Sequence, residues 1–276
     1  YTVPLDIHGN AMYYNTDLLD KYDANTFLDD DVVTIEEILS LDGKLDEGQY
    51  AINNALIEWV TLANVVNAGG DISDEAGNPT INTDAMRSVV EQLKSVADAG
   101  LMSPYGEDGY AMFQSGDVLF STDGTWTSTA HGSVEGLNFG VTNIYSVTPD
   151  KFTNRSSAHL FSLLNNEDRT DEKEQGVADF LSWMRENSLD WAGAGQIVAS
   201  KEVFESEEYQ QYPQSFFTSS DVEKEASYIF DYKYYSYVES ALGTVLSDMI
   251  YGNITIDEGL DQAQKTVEDL IAENAS

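Results

Sequence analysis

The sequence predicts an α/β protein with two lobes. Short strand-like runs alternate with amphipathic helices along the chain, which is the pattern of an α/β fold. Strand-like runs recur on both sides of a long polar region near residues 143–158, which favours two lobes over a single sheet. The chain has 276 residues, of which 42% are hydrophobic and 11% aromatic. This length and composition allow two compact units with apolar cores.

Elements in the first half follow from capping and periodicity signals. Thr34 and Glu37 have the spacing of a capping box, which predicts a short helix after Thr34. Thr83 precedes apolar residues spaced three to four apart, which predicts the clearest helix of this half. In chain order, we predict two short strands ending at His8 and at Tyr14, a helix reaching about Leu41, a strand at residues 50–54, helices at residues 56–66 and 83–100, and strands at residues 117–121 and 139–142.

The second half begins with an apolar run and then becomes mostly helical. We predict an apolar strand-like run at residues 160–164, followed by helices around residues 177–184 and 238–249. Trp183 follows Phe180 on the first of these helices, and its position predicts a buried side chain. Thr255 and Glu258 form a second capping box, which begins the last helix.

The acidic composition excludes several partners. Asp and Glu number 49 against 13 Lys and Arg, which gives a net charge of −36. Phosphate groups repel such a chain, so we expect neither nucleic-acid binding nor attraction to an anionic membrane surface. No apolar run approaches ~18 residues, so the sequence predicts no direct membrane insertion. The chain has no Cys, which rules out disulfides and thiolate sites.

Motifs for catalysis and metal binding are missing from the sequence. There is no G-x-S-x-G nucleophile elbow, no phosphate-binding loop and no H-E-x-x-H pair. The acidic loop at residues 71–82 superficially resembles a calcium loop, but Ala76 stands at the sixth position, where an EF-hand requires Gly. We therefore expect no catalytic residue, no metal and no cofactor. A carboxylate pair for glycoside hydrolysis stays open, because 49 acidic residues always offer suggestive pairs.

Aromatic side chains carry the positive functional signal. Faces of Trp and Tyr rings pack against the apolar faces of sugars, while nearby Asn, Asp and Glu side chains bind the hydroxyl groups. Trp126 follows a predicted strand in a loop of small polar residues, TDGTWTS at 122–128, which we expect cannot bury the ring. A large aromatic residue at such a strand end is a typical ligand contact in α/β proteins. A dense tyrosine cluster extends from Tyr228 to Tyr237.

Several short segments form a recognisable series. In order, they are VPLDIHGN at 3–10, YNTDLL at 14–19, TIEE at 34–37, AGG at 68–70, FQSGD at 113–117, DGTW at 123–126, WAGAGQIVA at 191–199 and YGNITIDEG at 251–259. The series resembles bacterial extracellular solute-binding proteins of ABC importers, in the maltose-binding-like group. That group usually has Trp where Ile35 stands here, and Pro where Thr125 stands, which leaves the Trp126 loop less fixed.

The resemblance implies a two-lobed, periplasmic-binding-protein-like fold of class II. This chain resembles the C-terminal portion of such a receptor, with most of the N-terminal lobe preceding residue 1. By analogy, residues 1–8 form a hinge crossover strand, residues 9–150 and 213–276 form the C-terminal lobe, and residues 155–212 belong to the N-terminal lobe. A chain with one wall of the cleft is expected to bind sugar weakly or not at all by itself, because burial between two walls provides affinity.

The resemblance also implies ligand contacts. Trp126 matches the tryptophan of the group that stacks on sugar, and Trp59 falls at a helix start where the group places an aromatic residue. His8 and Asp6 lie at the hinge, where the group often has a ligand-facing polar residue. The expected ligand-binding residues are Asp6, His8, Asn54, Trp59, Asp123, Gly124, Trp126, Tyr232 and Tyr235.

The implied function is that of the substrate-binding component of an ABC transporter, a receptor without enzymatic activity that binds a sugar or oligosaccharide. Its expected partners are a carbohydrate and the transmembrane subunits of an ABC importer. Its expected place is the periplasm or, with a lipid anchor, the extracellular face of the membrane. Two alternatives remain open: a secreted acidic glycoside hydrolase, and a receptor for a peptide or a cation on the same scaffold.

Overall fold

One long strand, Asp6–Asn15, organises the fold. The computed structural model describes residues 2–149, 151–220 and 227–274. Within these residues the strands are β1 (Thr2–Pro4), β2 (Asp6–Asn15), β3 (Tyr50–Ile52), β4 (Val118–Gly124), β5 (Phe139–Thr142), β6 (Asn154–Ser157), β7 (Leu160–Ser162), β8 (Ile197–Val198) and β9 (Ser227–Tyr228).

In the described parts of the chain, β2 pairs with four other strands of a seven-stranded sheet. Its first half pairs antiparallel with β8 and β6, and His8 lies opposite Ser157. Its second half pairs antiparallel with β4 and β5, and Asn10 lies opposite Gly124. Strand β3 runs parallel to β4, and β9 runs parallel to β6. Strands β1 and β7 form a separate antiparallel pair.

The prediction of two short strands ending at His8 and Tyr14 is wrong, because β2 continues through Gly9. A Cβ at Gly9 would lie 3.2 Å from the carbonyl oxygen of Arg155 on β6. A glycine inside a strand permits such close approach of a neighbouring backbone without breaking the strand. The glycine therefore marks tight pairing with β6 and not a turn.

The longer helices lie where the capping and periodicity signals place them, and several short helices are additional. They are α1 (Thr16–Tyr22), α2 (Ile35–Leu39), α3 (Ile57–Asn67), α4 (Asp84–Asp98), α5 (Gly109–Gln114), α6 (Ser128–Gly132), α7 (Asp171–Glu186), α8 (Ser188–Ala192), α9 (Lys201–Phe204), α10 (Phe216–Ser219), α11 (Tyr235–Ile250) and α12 (Ile256–Asn274). Both predicted capping boxes are confirmed, at Thr34 with Glu37 and at Thr255 with Glu258. Helix α1, which the sequence analysis did not predict, is capped by Asn15. None of the helices described is long and apolar enough to cross a membrane.

The main core lies between the sheet and helices α3, α4, α11 and α12. Each helix contributes fully buried side chains, such as Leu62 from α3, Leu93 from α4 and Leu242 from α11. These positions match the apolar periodicity that predicts the helices. The core holds β2, β3 and β4 in place, and the candidate site is built from β2, from the turn after β4 and from helix α3, which follows β3.

Residues 189–212 have a small apolar core of their own, in which Ala192, Val198 and Tyr209 are buried together. The preceding helix α7 has no buried residue. Phe180 is 49% exposed on it and Trp183 is 57% exposed. The prediction that Trp183 is buried is therefore wrong, because the helix face that carries it is turned to solvent.

Candidate ligand-binding site

The end of β4 positions Trp126. A short 3₁₀ helix, Thr125–Thr127, follows the strand directly, and the indole ring lies back over Gly124. A Cβ at Gly124 would lie only 2.1 Å from Cη2 of that ring, so this position requires glycine. Gly195 supports the turn from the other side, because its φ is +89° and a Cβ there would lie 2.5 Å from the carbonyl oxygen of Thr125.

Trp126 forms the middle of a row of three aromatic side chains, with His8 and Trp59 as its neighbours. The centroid of its ring lies 5.8 Å from that of His8 and 6.0 Å from that of Trp59. Both contacts are T-shaped, with interplanar angles of 77° and 78°. Edge-to-face contacts of this kind fix the rings in place without stacking their faces on one another. We call His8, Trp126 and Trp59 the aromatic row.

A buried arginine adjoins the row at Trp59. The guanidinium carbon of Arg155, on β6, lies 4.0 Å from the Trp59 ring centroid, and its Nε donates to the Tyr235 hydroxyl at 2.9 Å. The Trp59 indole nitrogen donates to the carboxylate of Glu239 on α11. Burial raises the pKa of Glu58, and repulsion by Glu239 adds to this effect. Cationic and anionic groups are thus held together beside an aromatic ring.

At the other end of the row, Asp6 collects hydrogen bonds from three side chains. Its carboxylate accepts from Nδ1 of His159 at 2.9 and 3.0 Å and from the Trp191 indole nitrogen at 2.7 Å. Nδ1 of His8 lies 3.5 Å away. Complete burial works to raise the pKa of Asp6, but the hydrogen bonds from His8, His159 and Trp191 outweigh it and bring the pKa to about 2. Asp6 is therefore an ionised group inside the protein.

Asp123 is a second buried carboxyl group, near the end of β4 and three residues before Trp126. Burial raises its pKa to about 6, and the charge of Asp108 contributes in the same direction. One carboxyl oxygen accepts the backbone N–H of Gly124 at 2.7 Å. Asp123 thus stabilises the turn that carries Trp126, at the cost of a charge in an apolar setting.

Comparison with known families decides what kind of protein carries this site. A family model described as bacterial extracellular solute-binding protein matches residues 1–218. The chain belongs to this family. The resemblance seen in the sequence motifs is thereby confirmed at the level of the family. No curated protein matches the chain by sequence.

Solved structures establish the fold of this solute-binding protein. A cyclic α-maltosyl-1,6-maltose binding protein from Arthrobacter globiformis is 17% identical with a TM-score of 0.76, over 99% of this chain and 72% of that one. A maltose/maltodextrin-binding domain from Bdellovibrio bacteriovorus bound to maltotriose is 16% identical with a TM-score of 0.76, and the match covers 99% of this chain and 73% of that one. An ABC substrate-binding protein from Listeria monocytogenes in complex with cycloalternan is 15% identical with a TM-score of 0.77, and the match covers 99% of this chain and 72% of that one. The predicted two-lobed, periplasmic-binding-protein-like fold is confirmed.

The structure brings together a subset of the residues expected to bind ligand. His8, Trp59 and Trp126 form the aromatic row, Gly124 lies under it, and Tyr235 reaches it through Arg155. The expectation that the loop cannot bury Trp126 is wrong, because the ring is half-buried against its neighbours.

Two expected residues make their contacts elsewhere. Asn54 accepts a long hydrogen bond from Ser103 at 3.4 Å, and Tyr232 donates to the carbonyl of Gly77 in the acidic loop at 3.4 Å. Asp6 has no exposed surface, so it acts on its surroundings through the two imidazoles that face it.

Four residues around the row were not predicted from the sequence. Arg155, His159, Trp191 and Glu239 all contact an expected site residue. One available signal was the rarity of Arg155, an arginine between small polar residues in a chain with only 13 basic side chains. Trp191 opens the family-like segment at 191–199, and His159 and Glu239 stand in unremarkable local contexts, so that tertiary structure alone places those two here.

Proposed function

We propose that this solute-binding protein is the substrate-binding component of an ABC importer for a sugar or oligosaccharide. The observation that carries the proposal is the aromatic row, with Arg155, Glu58 and Glu239 fixed beside it. Carbohydrate sites combine aromatic faces, which pack against the C–H faces of the sugar, with fixed polar groups that bind hydroxyls. Both components are present here within one connected set of side chains.

The polar groups suit a hydroxyl-rich ligand because they are already oriented. Arg155 is held by the Trp59 face and the Tyr235 hydroxyl, and the indole of Trp59 holds Glu239. Preoriented donors and acceptors lose little freedom when a ligand binds, which favours affinity. The solved neighbours support the same class of ligand, since those proteins bind cyclic α-maltosyl-1,6-maltose, maltotriose and cycloalternan.

The proposal includes the division of the chain into lobes. Residues 1–8 would serve as a hinge strand, residues 9–150 and 213–276 as the C-terminal lobe, and residues 155–212 as part of the N-terminal lobe. The separate small core of residues 189–212 supports this division, and so does the change of pairing partners along β2. The sugar would bind in an interlobe cleft, and the closed receptor would dock on the transmembrane subunits of the importer. We place it in the periplasm or, lipid-anchored, outside the cell membrane.

A glycoside hydrolase is the second candidate, because one observation favours it. The pKa of Glu58 is raised by burial and by Glu239, and a carboxyl group of raised pKa beside a second carboxylate is the arrangement of a general acid. Glu239, however, accepts a hydrogen bond from the indole of Trp59, and the cation of Arg155 lies over the same indole ring. We therefore favour a binding role for both carboxylates.

A single panel of linear and cyclic oligosaccharides separates the two candidates. We expect calorimetry at up to about 10 mM sugar to detect saturable binding of at least one member, a range that includes weak affinities. Reducing ends should not accumulate over time. Steady release of reducing ends would support the hydrolase and contradict the sugar receptor.

A further inference from the structure

We propose that Asp6, His8 and His159 form a binding site for a divalent transition-metal ion of the Zn²⁺ class. The three side chains come from two parts of the chain: Asp6 and His8 lie on β2, and His159 follows β6. Their ligand atoms all lie within 4.8 Å of one another. The sequence predicts no metal site, because His159 stands 153 positions after Asp6 and the three residues match no metal motif.

The distances between the ligand atoms are close to those that a metal ion needs. Ligands at about 2.1 Å from a tetrahedral Zn²⁺ are roughly 3.4 Å from one another. The Asp6 carboxylate lies 3.5 Å from Nδ1 of His8 and 2.9 Å from Nδ1 of His159. Both imidazoles turn the same nitrogen toward one carboxylate, so small movements of these side chains would bring all three ligand atoms onto one ion.

The carboxylate is held by groups that stay outside the proposed coordination sphere. The Trp191 indole nitrogen donates to one oxygen of Asp6 at 2.7 Å, and the backbone N–H of His159 donates to the other at 3.1 Å. Hydrogen bonds of this kind orient metal ligands and tune their affinity. His8 is fixed in turn by its edge contact with Trp126. The ligand set is therefore largely preformed.

The donor types select the ion. Two imidazoles and one carboxylate suit Zn²⁺ and its neighbours in the first transition row, with water in the fourth position. Ca²⁺ and Mg²⁺ prefer a shell of oxygen atoms, which this cluster does not offer. The His159 side chain is 54% exposed, so an ion can reach the site from solvent. A net charge of −36 also raises the local concentration of cations.

Titration of the tag-free chain with ZnCl₂ tests the proposal, with MgCl₂ as the comparison ion. We expect one saturable Zn²⁺ site per chain, and a loss of affinity of at least about 10-fold in His159→Ala and in His8→Ala. His131→Leu is the matched control, because the third histidine lies outside the cluster, and it should bind Zn²⁺ like the unchanged chain. Circular dichroism checks that each variant is folded.

Two outcomes would overturn the proposal. One is Zn²⁺ binding of equal strength in the unchanged chain and in both cluster variants, which would assign the ion to the acidic surface. The other is weak binding of Zn²⁺ at many sites, with Mg²⁺ displacing Zn²⁺ from all of them. Co²⁺ gives an independent check: it should produce visible ligand-field bands typical of low coordination number in the unchanged chain and in His131→Leu, and His159→Ala should lose them.

Discussion

Trp126 is the residue on which the proposed sugar site depends most, because it joins the two other rings of the aromatic row. We expect Trp126→Ala to weaken sugar binding by about 1–3 kcal/mol, the usual cost of removing an aromatic anchor. Isothermal calorimetry with the tightest sugar of the panel measures this loss. Trp183→Ala is the matched control, since that ring lies exposed on α7, and it should bind as before. Equal affinity in Trp126→Ala would contradict the assignment.

Asp123 should make stability depend on pH in a defined window. Its pKa is about 6 in the folded protein against an ordinary value of 3.8, so between these values the unfolded chain loses the proton first. Stability therefore falls as pH rises from about 4 to 6 and then stays reduced, by up to about 3 kcal/mol. Asp123→Asn keeps an acceptor for the Gly124 N–H and removes the charge.

Urea unfolding of the unchanged chain and of Asp123→Asn at several pH values tests this expectation. The variant should be the more stable protein above pH 6 and should lose its advantage near pH 4. An advantage of the same size at pH 4 and at pH 7 would show that the burial of this carboxyl group has been misjudged.

Single residues of the site differ in how far the sequence could predict them. Trp126 stands out as a large ring among small polar residues, Gly124 lies in a family-like segment, and Trp59 falls at a helix start where the family places an aromatic residue. Arg155 is conspicuous only as a rare basic residue, and Glu239 has no local signal, because each meets Trp59 only after β6 and α11 pack beside α3. Long-range contacts of this kind depend on the packing of elements, and a local motif does not encode them.

At the scale of elements, the turn that carries Trp126 is supported by Gly195, which precedes β8. Gly195→Ala would place a Cβ at 2.5 Å from the backbone oxygen of Thr125, at a φ of +89°. We expect a destabilisation of about 2 kcal/mol or more and weaker sugar binding, because strain and overlap both act at this position. Gly176→Ala on α7 is the matched control, since open space surrounds Gly176.

Denaturant unfolding distinguishes the two glycine variants. Gly176→Ala should be unchanged or more stable, by up to about 1 kcal/mol, because alanine favours a helix interior. Similar stability of both variants would mean that Gly195 does not pack against the Trp126 turn.

The short helix α6 contributes a histidine that should destabilise the fold in acid. Tyr13, Tyr110, Phe113 and Phe139 surround the His131 ring, and burial lowers its pKa to about 4. The unfolded chain takes up a proton near pH 6.5 while the folded protein does not, so stability is lost as pH falls from 6.5 to 4. The loss amounts to about 3 kcal/mol at most.

His131→Leu should remove this part of the acid sensitivity. Neither ring nitrogen has a hydrogen-bond partner among the residues described, so the substitution sacrifices no polar contact. We expect the variant to match or exceed the unchanged chain at pH 7 and to lose less stability by pH 5, as measured by thermal unfolding across pH. An identical pH profile would indicate that His131 takes up its proton at the same pH in the folded and unfolded chains.

Elements with strong end signals were predictable, and those defined by pairing were not. The capping boxes and the apolar periodicity placed α2, α4, α11 and α12 within a few residues. The sequence divided β2 at Gly9, because a glycine resembles a turn until a neighbouring strand explains it. Helix α7 was expected to bury Trp183, since periodicity indicates an apolar face and says nothing about what covers that face.

At the scale of the whole molecule, the fold follows from the order of family-like segments, and the solved neighbours confirm it. The junction between the aromatic row and the Asp6 cluster could not be read from the sequence. It arises where β2 passes from its pairing with β8 and β6 to its pairing with β4 and β5. That junction holds both the proposed sugar site and the proposed metal site.

The central claim is that a carbohydrate binds at the aromatic row. A ¹H–¹⁵N NMR spectrum of the tryptophan indole N–H groups tests this claim most directly. The chain has 4 Trp, so a ¹H–¹⁵N spectrum contains a small set of indole signals that single substitutions can assign. On titration with an oligosaccharide, the signals of Trp126 and Trp59 should shift together and saturate, while that of Trp183 stays in place. Saturable binding that leaves the Trp126 and Trp59 signals unmoved would contradict the claim.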